Sequence, residues 1–171
     1  MKNPLKALLV ILSVGLVAMA SERVNPDSLT VKSLPVEVYA KLEKGKKLSR
    51  IWKDASFSAA RGYKVPELDW KAENRVGEVS SYLKENLPTM GTKDGYYSLD
   101  LIVTEAVQGT IGYFGNKTGY FILEGQVKDA DGHVVAAFVT KEEDEFGNMA
   151  KTLKPGVDRA ISGIVSELFK K

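Results

Sequence analysis

The only histidine in the chain, His133, lies two and four residues after two aspartates, and this group could hold a metal ion. A metal site or a catalytic triad needs partners that converge on the imidazole, and Asp129 and Asp131 are the nearest candidates. A calcium loop of the EF-hand type has glycine at its sixth position and glutamate at its twelfth. Counted from Asp129, Gly132 is fourth and Thr140 is twelfth. We therefore predict an exposed hairpin turn here, with Gly132 at its positive-φ position, and no metal site.

A glycine-rich stretch, GTIGYFGNKTGYF from Gly109 to Phe121, could cradle a phosphate. A dinucleotide-binding loop has the pattern Gly-x-Gly-x-x-Gly between a strand and a helix. These glycines are spaced three, three and four residues apart, with strand-like sequence on both sides. A Walker loop opens a helix, whereas the segment 116–118 is followed by a strand pattern. The stretch is therefore predicted to be a long hairpin connection.

This connection carries aromatic residues that could contact a partner. Phe121 is predicted to pack on the sheet, whereas Tyr113 and Phe114 are harder to bury from a loop. Glycine lowers the cost of unusual backbone angles, so the loop can project. Exposed aromatic side chains often mark contact surfaces. We predict that Tyr113, Phe114 and Tyr120 bind a partner; the alternative is that the rings of Tyr113 and Phe114 cap the core of the sheet itself.

The remaining side chains form no recognisable catalytic group. The chain has no cysteine, which excludes disulfides and thiol chemistry. The four carboxylates from Glu142 to Glu145 are typical of a solvated face. The serines lack the setting of a nucleophile elbow. We predict a non-enzymatic protein without a cofactor; the alternative is a small-ligand-binding or hydrolytic protein with a pocket between sheet and helices.

The first twenty residues have the three parts of a secretory signal peptide. Lys2 and Lys6 supply the positive charge, Ala7–Val17 is apolar, and Ala18–Ala20 is a small-x-small cleavage site. A membrane span needs about 20 apolar residues, which is longer than this run. We expect cleavage before Ser21 and a periplasmic protein that does not span the membrane; an uncleaved anchor is the alternative. No cysteine follows the apolar run, so lipidation is not expected there.

Charge argues against a nucleic-acid partner. The full chain has 24 Lys and Arg and 22 Asp and Glu. Loss of Lys2 and Lys6 with the signal leaves 22 of each sign, a formal net charge of zero, whereas nucleic-acid binders show clustered basic surface. The one dense basic run, Lys44–Lys47, is predicted to be a solvated turn.

The periodicity of the sequence predicts one α+β domain over residues 35–171, after a polar leader over 21–34. Alternation predicts a strand over Val36–Leu42, paired as a hairpin with a strand over Leu48–Lys53. A helix is predicted to start at an Asp69 N-cap, to bury Ala72, Val76, Val79 and Leu83, and to end before Pro88.

Three further strands and a helix complete the predicted domain. The first of these strands runs from Tyr97 to Val107, with Tyr97, Leu99, Leu101, Val103 and Val107 on its apolar face. Strands over Phe121–Lys128 and Val135–Val139 follow, and then a charged loop over Lys141–Met149. The last helix is capped by Thr152, has Pro155 in its first turn and buries Val157, Ile161, Ile164 and Leu168. The prediction is a mainly antiparallel sheet of about five strands with two amphipathic helices packed on one face.

Five segments together resemble a group of bacterial envelope proteins. They are KLSRIWKDASF, YLKENLP, YYSLDLIVTEAVQGT, LEGQVKDADGHVVAAF and AISGIVSELFKK, which begin at residues 47, 82, 96, 123 and 160. The pattern is similar to the N-terminal domain of TolB and to related periplasmic lipoprotein domains. The resemblance implies a role in the cell envelope with envelope proteins as partners, and it implies no catalytic residue.

Overall fold

The computed structural model describes residues 33–65, 75–91, 95–112, 115–144 and 153–169. The strands in these ranges are β1 (Glu43–Lys44), β2 (Arg50–Lys53), β3 (Gly62–Lys64), β4 (Met90–Gly91), β5 (Tyr97–Val107), β6 (Thr110–Gly112), β7 (Gly115–Lys117), β8 (Gly119–Lys128) and β9 (Val134–Asp144). The α-helices are α1 (Val36–Tyr39), α2 (Arg75–Asn86) and α3 (Lys154–Ile164). A 3-10 turn, Ala59–Arg61, precedes β3, and a π-helical turn, Val165–Phe169, continues α3.

Seven strands form one sheet in the order β1-β2-β9-β8-β5-β3-β4, and β6 and β7 form a separate two-stranded ribbon. Every neighbouring pair in the large sheet is antiparallel except β3 and β5, which run parallel. The α+β class and the mainly antiparallel sheet are thus confirmed, but the predicted five strands become seven. The additional strands β3 and β4 are three and two residues long, too short to show a period in the sequence.

The predicted strand over Val36–Leu42 is wrong, because this segment contains the helix α1. Leu34, Val38 and Leu42 are buried, four residues apart, whereas Val36 is 81% exposed. A spacing of four residues is typical of a helix. The apolar residues of this segment also alternate, and the prediction of a strand followed that alternation. The amides of Val38 and Tyr39 both bond to the carbonyl of Pro35, which begins the helix. The hairpin with β2 is instead made by β1.

The two predicted amphipathic helices are present. In α2, Val79 and Leu83 are buried and Val76 is half-buried against the core; Asp69 and Ala72 lie outside the described residues. In α3, Pro155 lies in the first turn, as predicted, and Thr152 lies outside the described residues. Three of the four predicted core residues of the last helix, Val157, Ile164 and Leu168, are buried, and Ile161 is half-buried.

The sheet has two differently covered faces. We call the face beneath α2 and α3 the inner face; α2 packs on β5, and α3 lies over Phe121, whose ring is 3.0 Å from where a Cβ of Gly156 would stand. The opposite, outer face is partly covered by residues 33–42. Ser33 donates its amide to the buried carboxylate of Glu124 over 2.8 Å, and Gln126 donates to the Ser33 carbonyl. The two predicted helices therefore lie on one face, and the difference from the prediction is a third helix, α1, on the opposite face.

The C-terminal π-helical turn is fixed to the turn between β1 and β2. The Glu167 carboxylate accepts the backbone amides of Lys46 at 3.0 Å, Leu48 at 2.6 Å and Lys47. A Cβ at Gly45 would overlap the Leu48 carbonyl, so only glycine fits this tight loop. The side chains of Lys44, Lys46 and Lys47 are exposed, as predicted for a solvated turn, but the backbone of the turn binds a carboxylate.

Among the described residues, no helix has both the length and the apolar character needed to cross a membrane.

Candidate partner-binding site

The glycine-rich connection between β5 and β8 is a β-ribbon. Its residue pairs are Thr110 with Lys117, Ile111 with Asn116 and Gly112 with Gly115. Tyr113 and Phe114, which stand between these two strands in the sequence, lie outside the described residues. The predicted hairpin connection is confirmed, and its arms are paired strands that belong to no other sheet.

The base of the ribbon depends on a close backbone approach at Gly119. A Cβ at this position would lie 2.7 Å from the amide nitrogen of Gly109, closer than real Cβ contacts allow. Gly119 does not have a positive φ, so the expectation of unusual backbone angles does not explain this glycine. Glycine is needed here because the two arms nearly touch where the ribbon leaves the large sheet.

Tyr120 lies at the base of the ribbon on the outer face. Its hydroxyl donates a hydrogen bond to Glu105 Oε1 over 2.6 Å, and the Lys141 ammonium lies 4.6 Å from the centre of its ring. Hydrogen bonding to Glu105, burial and the charges of Glu105 and Glu143 raise the pKa of Tyr120. The ring is half-buried, and contacts from Glu105 of β5 and Lys141 of β9 fix its position beside the ribbon.

Val107 is an exposed apolar residue that the alternation pattern placed on the wrong face. A bulge between Val103 and Glu105 shifts the register of β5, so that Ala106 opposes Phe121 and Val107 opposes Tyr120. Paired residues share a face, and Val107 therefore lies beside Tyr120 on the outer face, 39% exposed. The prediction that Val107 continues the apolar face of Tyr97 is wrong, because one extra residue inverts the alternation that follows it.

A second exposed residue, Ile102, lies on the same face. Ile102 is 47% exposed, and its side chain lies on the same side of β5 as those of Ser98 and Asp100. An apolar residue at a strand position where the alternation calls for a polar residue is a signal of an exposed apolar site, and this signal is visible in the sequence. Phe121, by contrast, is fully buried on the inner face, as predicted. The candidate surface therefore consists of the ribbon, Tyr120 and the exposed apolar residues of β5.

The Asp129–His133 turn has the geometry that its sequence predicts. Gly132 has φ of 83°, and Asp129 Oδ1 accepts the amides of Asp131 at 3.0 Å and His133 at 2.8 Å. Burial would raise the pKa of Asp129, but these bonds and the nearby His133 lower it below its ordinary value. The side chain of His133 is 78% exposed. Ligand atoms of Asp129, Asp131 and His133 lie within 4.8 Å of one another; Oδ1 of Asp129 accepts the amides of the turn, and its Oδ2 lies 3.5 Å from His133 Nδ1.

The comparisons with known proteins are sparse. No family model matches the chain, and no curated protein matches it. Among solved structures, the chain is similar to a dodecamer of a PelC variant from Paraburkholderia phytofirmans, with 14% sequence identity and a TM-score of 0.38. The match covers 71% of this chain and 93% of that chain. A similarity of this size carries no conclusion about function, and the resemblance to the TolB N-terminal domain stays a prediction.

Proposed function

We propose that this chain is an exported, non-enzymatic protein of the periplasm that binds a protein of the cell envelope through its ribbon. One observation supports the proposal: β6 and β7, which precede and follow Tyr113 and Phe114 in the chain, pair as a ribbon that is separate from the seven-stranded sheet. Aromatic residues supply much of the binding energy at protein interfaces. We infer that this aromatic dipeptide enters a groove on the partner.

The base of the ribbon supports the same interpretation. Val107 offers exposed apolar area beside Tyr120, whose ring is held by Glu105 and Lys141. A side chain that is already ordered loses little conformational entropy on binding. An apolar centre with a polar margin is the usual composition of a contact surface. The Tyr113–Phe114 tip and the Val107–Tyr120 base would then contact one partner together.

The test replaces both tip residues by serine, Tyr113→Ser with Phe114→Ser. If the tip contacts a partner, the thermal stability of the purified protein stays nearly unchanged while capture of the partner from envelope extract falls at least about tenfold. Val36→Ser is a matched control, because Val36 is 81% exposed and lies in α1, far along the chain from the ribbon. The control should retain both stability and capture.

A photo-crosslinking residue at position 114 identifies the partner directly. We expect a discrete crosslinked product in cells that is absent when the crosslinker stands at position 36. If the double serine variant instead loses several kcal/mol of stability, as truncation of aromatic residues in a core does, the rings pack on the sheet and the proposal is wrong. Equal crosslinking from positions 114 and 36 would also contradict it.

A further inference from the structure

The segment from Lys41 to Lys53, which we call the basic hairpin, concentrates positive charge at one edge of the sheet. It contains six cations, Lys41, Lys44, Lys46, Lys47, Arg50 and Lys53, and one acid, Glu43, so its formal charge is six minus one, or +5. All five lysines are exposed. A protein whose predicted mature form has no net charge thus carries a local surface of one sign.

Three acidic residues near the basic hairpin have partners within the protein. The Glu167 carboxylate accepts three backbone amides of the turn, and the charge of Lys53 also acts on it. On β9, Glu142 bonds to Arg159 over 2.9 Å and Glu143 to Lys141 over 2.6 Å. Among the ion pairs between described residues, none involves Lys44, Lys46 or Lys47. The side chains of these three lysines are exposed, and the Lys47 ammonium lies 3.4 Å from the neutral hydroxyl of Ser162.

Two aromatic rings lie among these cations. The Lys41 ammonium is 4.6 Å from the centre of the Trp52 ring, and the Arg50 guanidinium is 5.9 Å from that of Tyr39. Such contacts fix long side chains over a ring and keep their charge at the surface. Lysine and arginine beside tryptophan and tyrosine are the residue types that favour the headgroup region of a bilayer.

The turn of the basic hairpin lies at the same end of the sheet as the ribbon. Ser49, in the turn, accepts the amide of Lys141 in β9 over 3.0 Å. Two residues further along β9, Glu143 pairs with Tyr120 at the base of the ribbon. A flat anionic surface that meets the turn would therefore approach the ribbon as well.

We propose that the basic hairpin docks the protein on the surface of a bilayer that contains anionic phospholipid. A bilayer fits better than a nucleic acid because the predicted signal peptide sends the chain to the envelope. Each lysine near an anionic bilayer adds binding energy that falls within a Debye length. The attraction is therefore strong at low salt and weak at high salt. Docking would hold the ribbon close to the membrane, where an envelope partner is available.

The experiment is co-sedimentation with phosphatidylcholine vesicles that contain or lack phosphatidylglycerol. The apolar run Ala7–Val17 would bind both kinds of vesicle if it were retained, so the readout is the ratio of binding between the two compositions. We expect a clear preference for the anionic vesicles. Lys44→Glu with Lys46→Glu should lower that ratio roughly tenfold or more, because two attractive charges become repulsive. Raising the salt concentration should lower the wild-type ratio in the same direction.

A matched control variant makes the same charge change elsewhere. Lys84→Glu with Lys154→Glu alters two exposed lysines on α2 and α3, and it should leave the ratio nearly unchanged. An equal fall in both variants would assign the preference to net charge and overturn the proposal. A wild-type protein that binds both vesicles equally would overturn it too. Tyr113→Ser with Phe114→Ser should keep the vesicle ratio while losing the partner, so the two proposals fail separately.

Discussion

The carboxylate of Glu167 accepts the backbone amide of Leu48 over 2.6 Å, and thereby joins the C-terminal π-helical turn to the loop before β2. Leu48 is itself buried, and its side chain lies where a Cβ of Gly163 would come within 2.9 Å of it. The polar contact and the apolar contact therefore fix the same loop from two sides. Loss of the charge on Glu167 should loosen both.

Glu167→Gln should destabilise the fold by about 1 to 2 kcal/mol, because an amide oxygen accepts hydrogen bonds less strongly than a carboxylate and the NH₂ group would face at least one of the three backbone donors. Partial solvent exposure keeps the value modest. Urea unfolding measures the change. Glu85→Gln, on the exposed side of α2, is the control and should change stability by less than about 0.5 kcal/mol.

The same pair predicts a dependence on pH. Burial would raise the pKa of Glu167, but the bonds from Leu48, Lys46 and Lys47 and the charge of Lys53 lower it below its ordinary value of 4.5. A carboxyl with a lowered pKa stabilises the fold above its unfolded pKa, and this contribution is lost as pH falls through the folded pKa. The difference between wild type and Glu167→Gln should therefore shrink at acid pH. A constant difference from about pH 7 to about pH 2 would contradict this assignment.

Tyr63→Phe should leave stability unchanged or raise it by about 1 kcal/mol. Tyr63 is fully buried, its ring centre is 4.4 Å from that of Phe169, and its hydroxyl has no hydrogen-bond partner among the described residues. Burial raises the pKa of Tyr63 to about 12. Because the unfolded chain ionises first, the stability of the wild type relative to the variant should be constant below the unfolded pKa of about 10 and should fall as pH rises from there through the folded pKa. A clear loss of stability in Tyr63→Phe at neutral pH would mean that the hydroxyl is bonded.

Gly119→Ala should distort the base of the ribbon, because its Cβ would lie 2.7 Å from the backbone of Gly109. We expect a loss of about 1 to 3 kcal/mol, as for other overpacked sites, together with weaker capture of the partner. Gly91→Ala is the control, since a Cβ there meets nothing within 4 Å. Thermal melts of both variants, read with the capture assay, decide the matter. Equal behaviour of the two would show that the arms can separate at no cost.

The mature protein should begin at Ser21. The expectation follows from Lys6, the apolar run Ala7–Val17 and the small residues Ala18 and Ala20. Intact-mass measurement of the protein released from the periplasm should give the chain without its first twenty residues. Retention of Met1 in membrane fractions would instead indicate an anchored protein.

The long elements could be predicted because their periods are sustained. β5 has eleven residues and β8 has ten, and each keeps one parity buried for most of its length. The segment 34–42 could not be assigned correctly, because Val36, Val38, Ala40 and Leu42 alternate while the buried set Leu34, Val38 and Leu42 repeats every four residues. Burial, which only the tertiary structure decides, selects between the two periods.

The candidate site was predicted only in part. A hairpin connection carrying Tyr120 follows from glycine and aromatic spacing. The exposure of Val107 does not, because it depends on a bulge at Thr104 that no local signal marks. The hydrogen bonds from the amides of residues 46–48 to Glu167 could not be predicted from the sequence either, because they join positions 119 to 121 residues apart. The parallel pairing of β3 with β5 was not predicted either, because only two residue pairs define it.

The junction between Leu48 and Glu167 has a consequence for the order of folding. β2 pairs with β9, with Arg50 to Lys53 opposite Val139 to Ala136. The N-terminal strand β2 therefore cannot pair until the C-terminal strand β9 has been synthesised. The backbone amides of the turn before β2 cannot bond to the Glu167 carboxylate until residue 167 has been synthesised. Contacts of such long separation require large loops to close first, which slows folding relative to proteins with local contacts. We expect nascent chains to remain incompletely folded throughout synthesis, with the domain closing only after the α3 segment has been added.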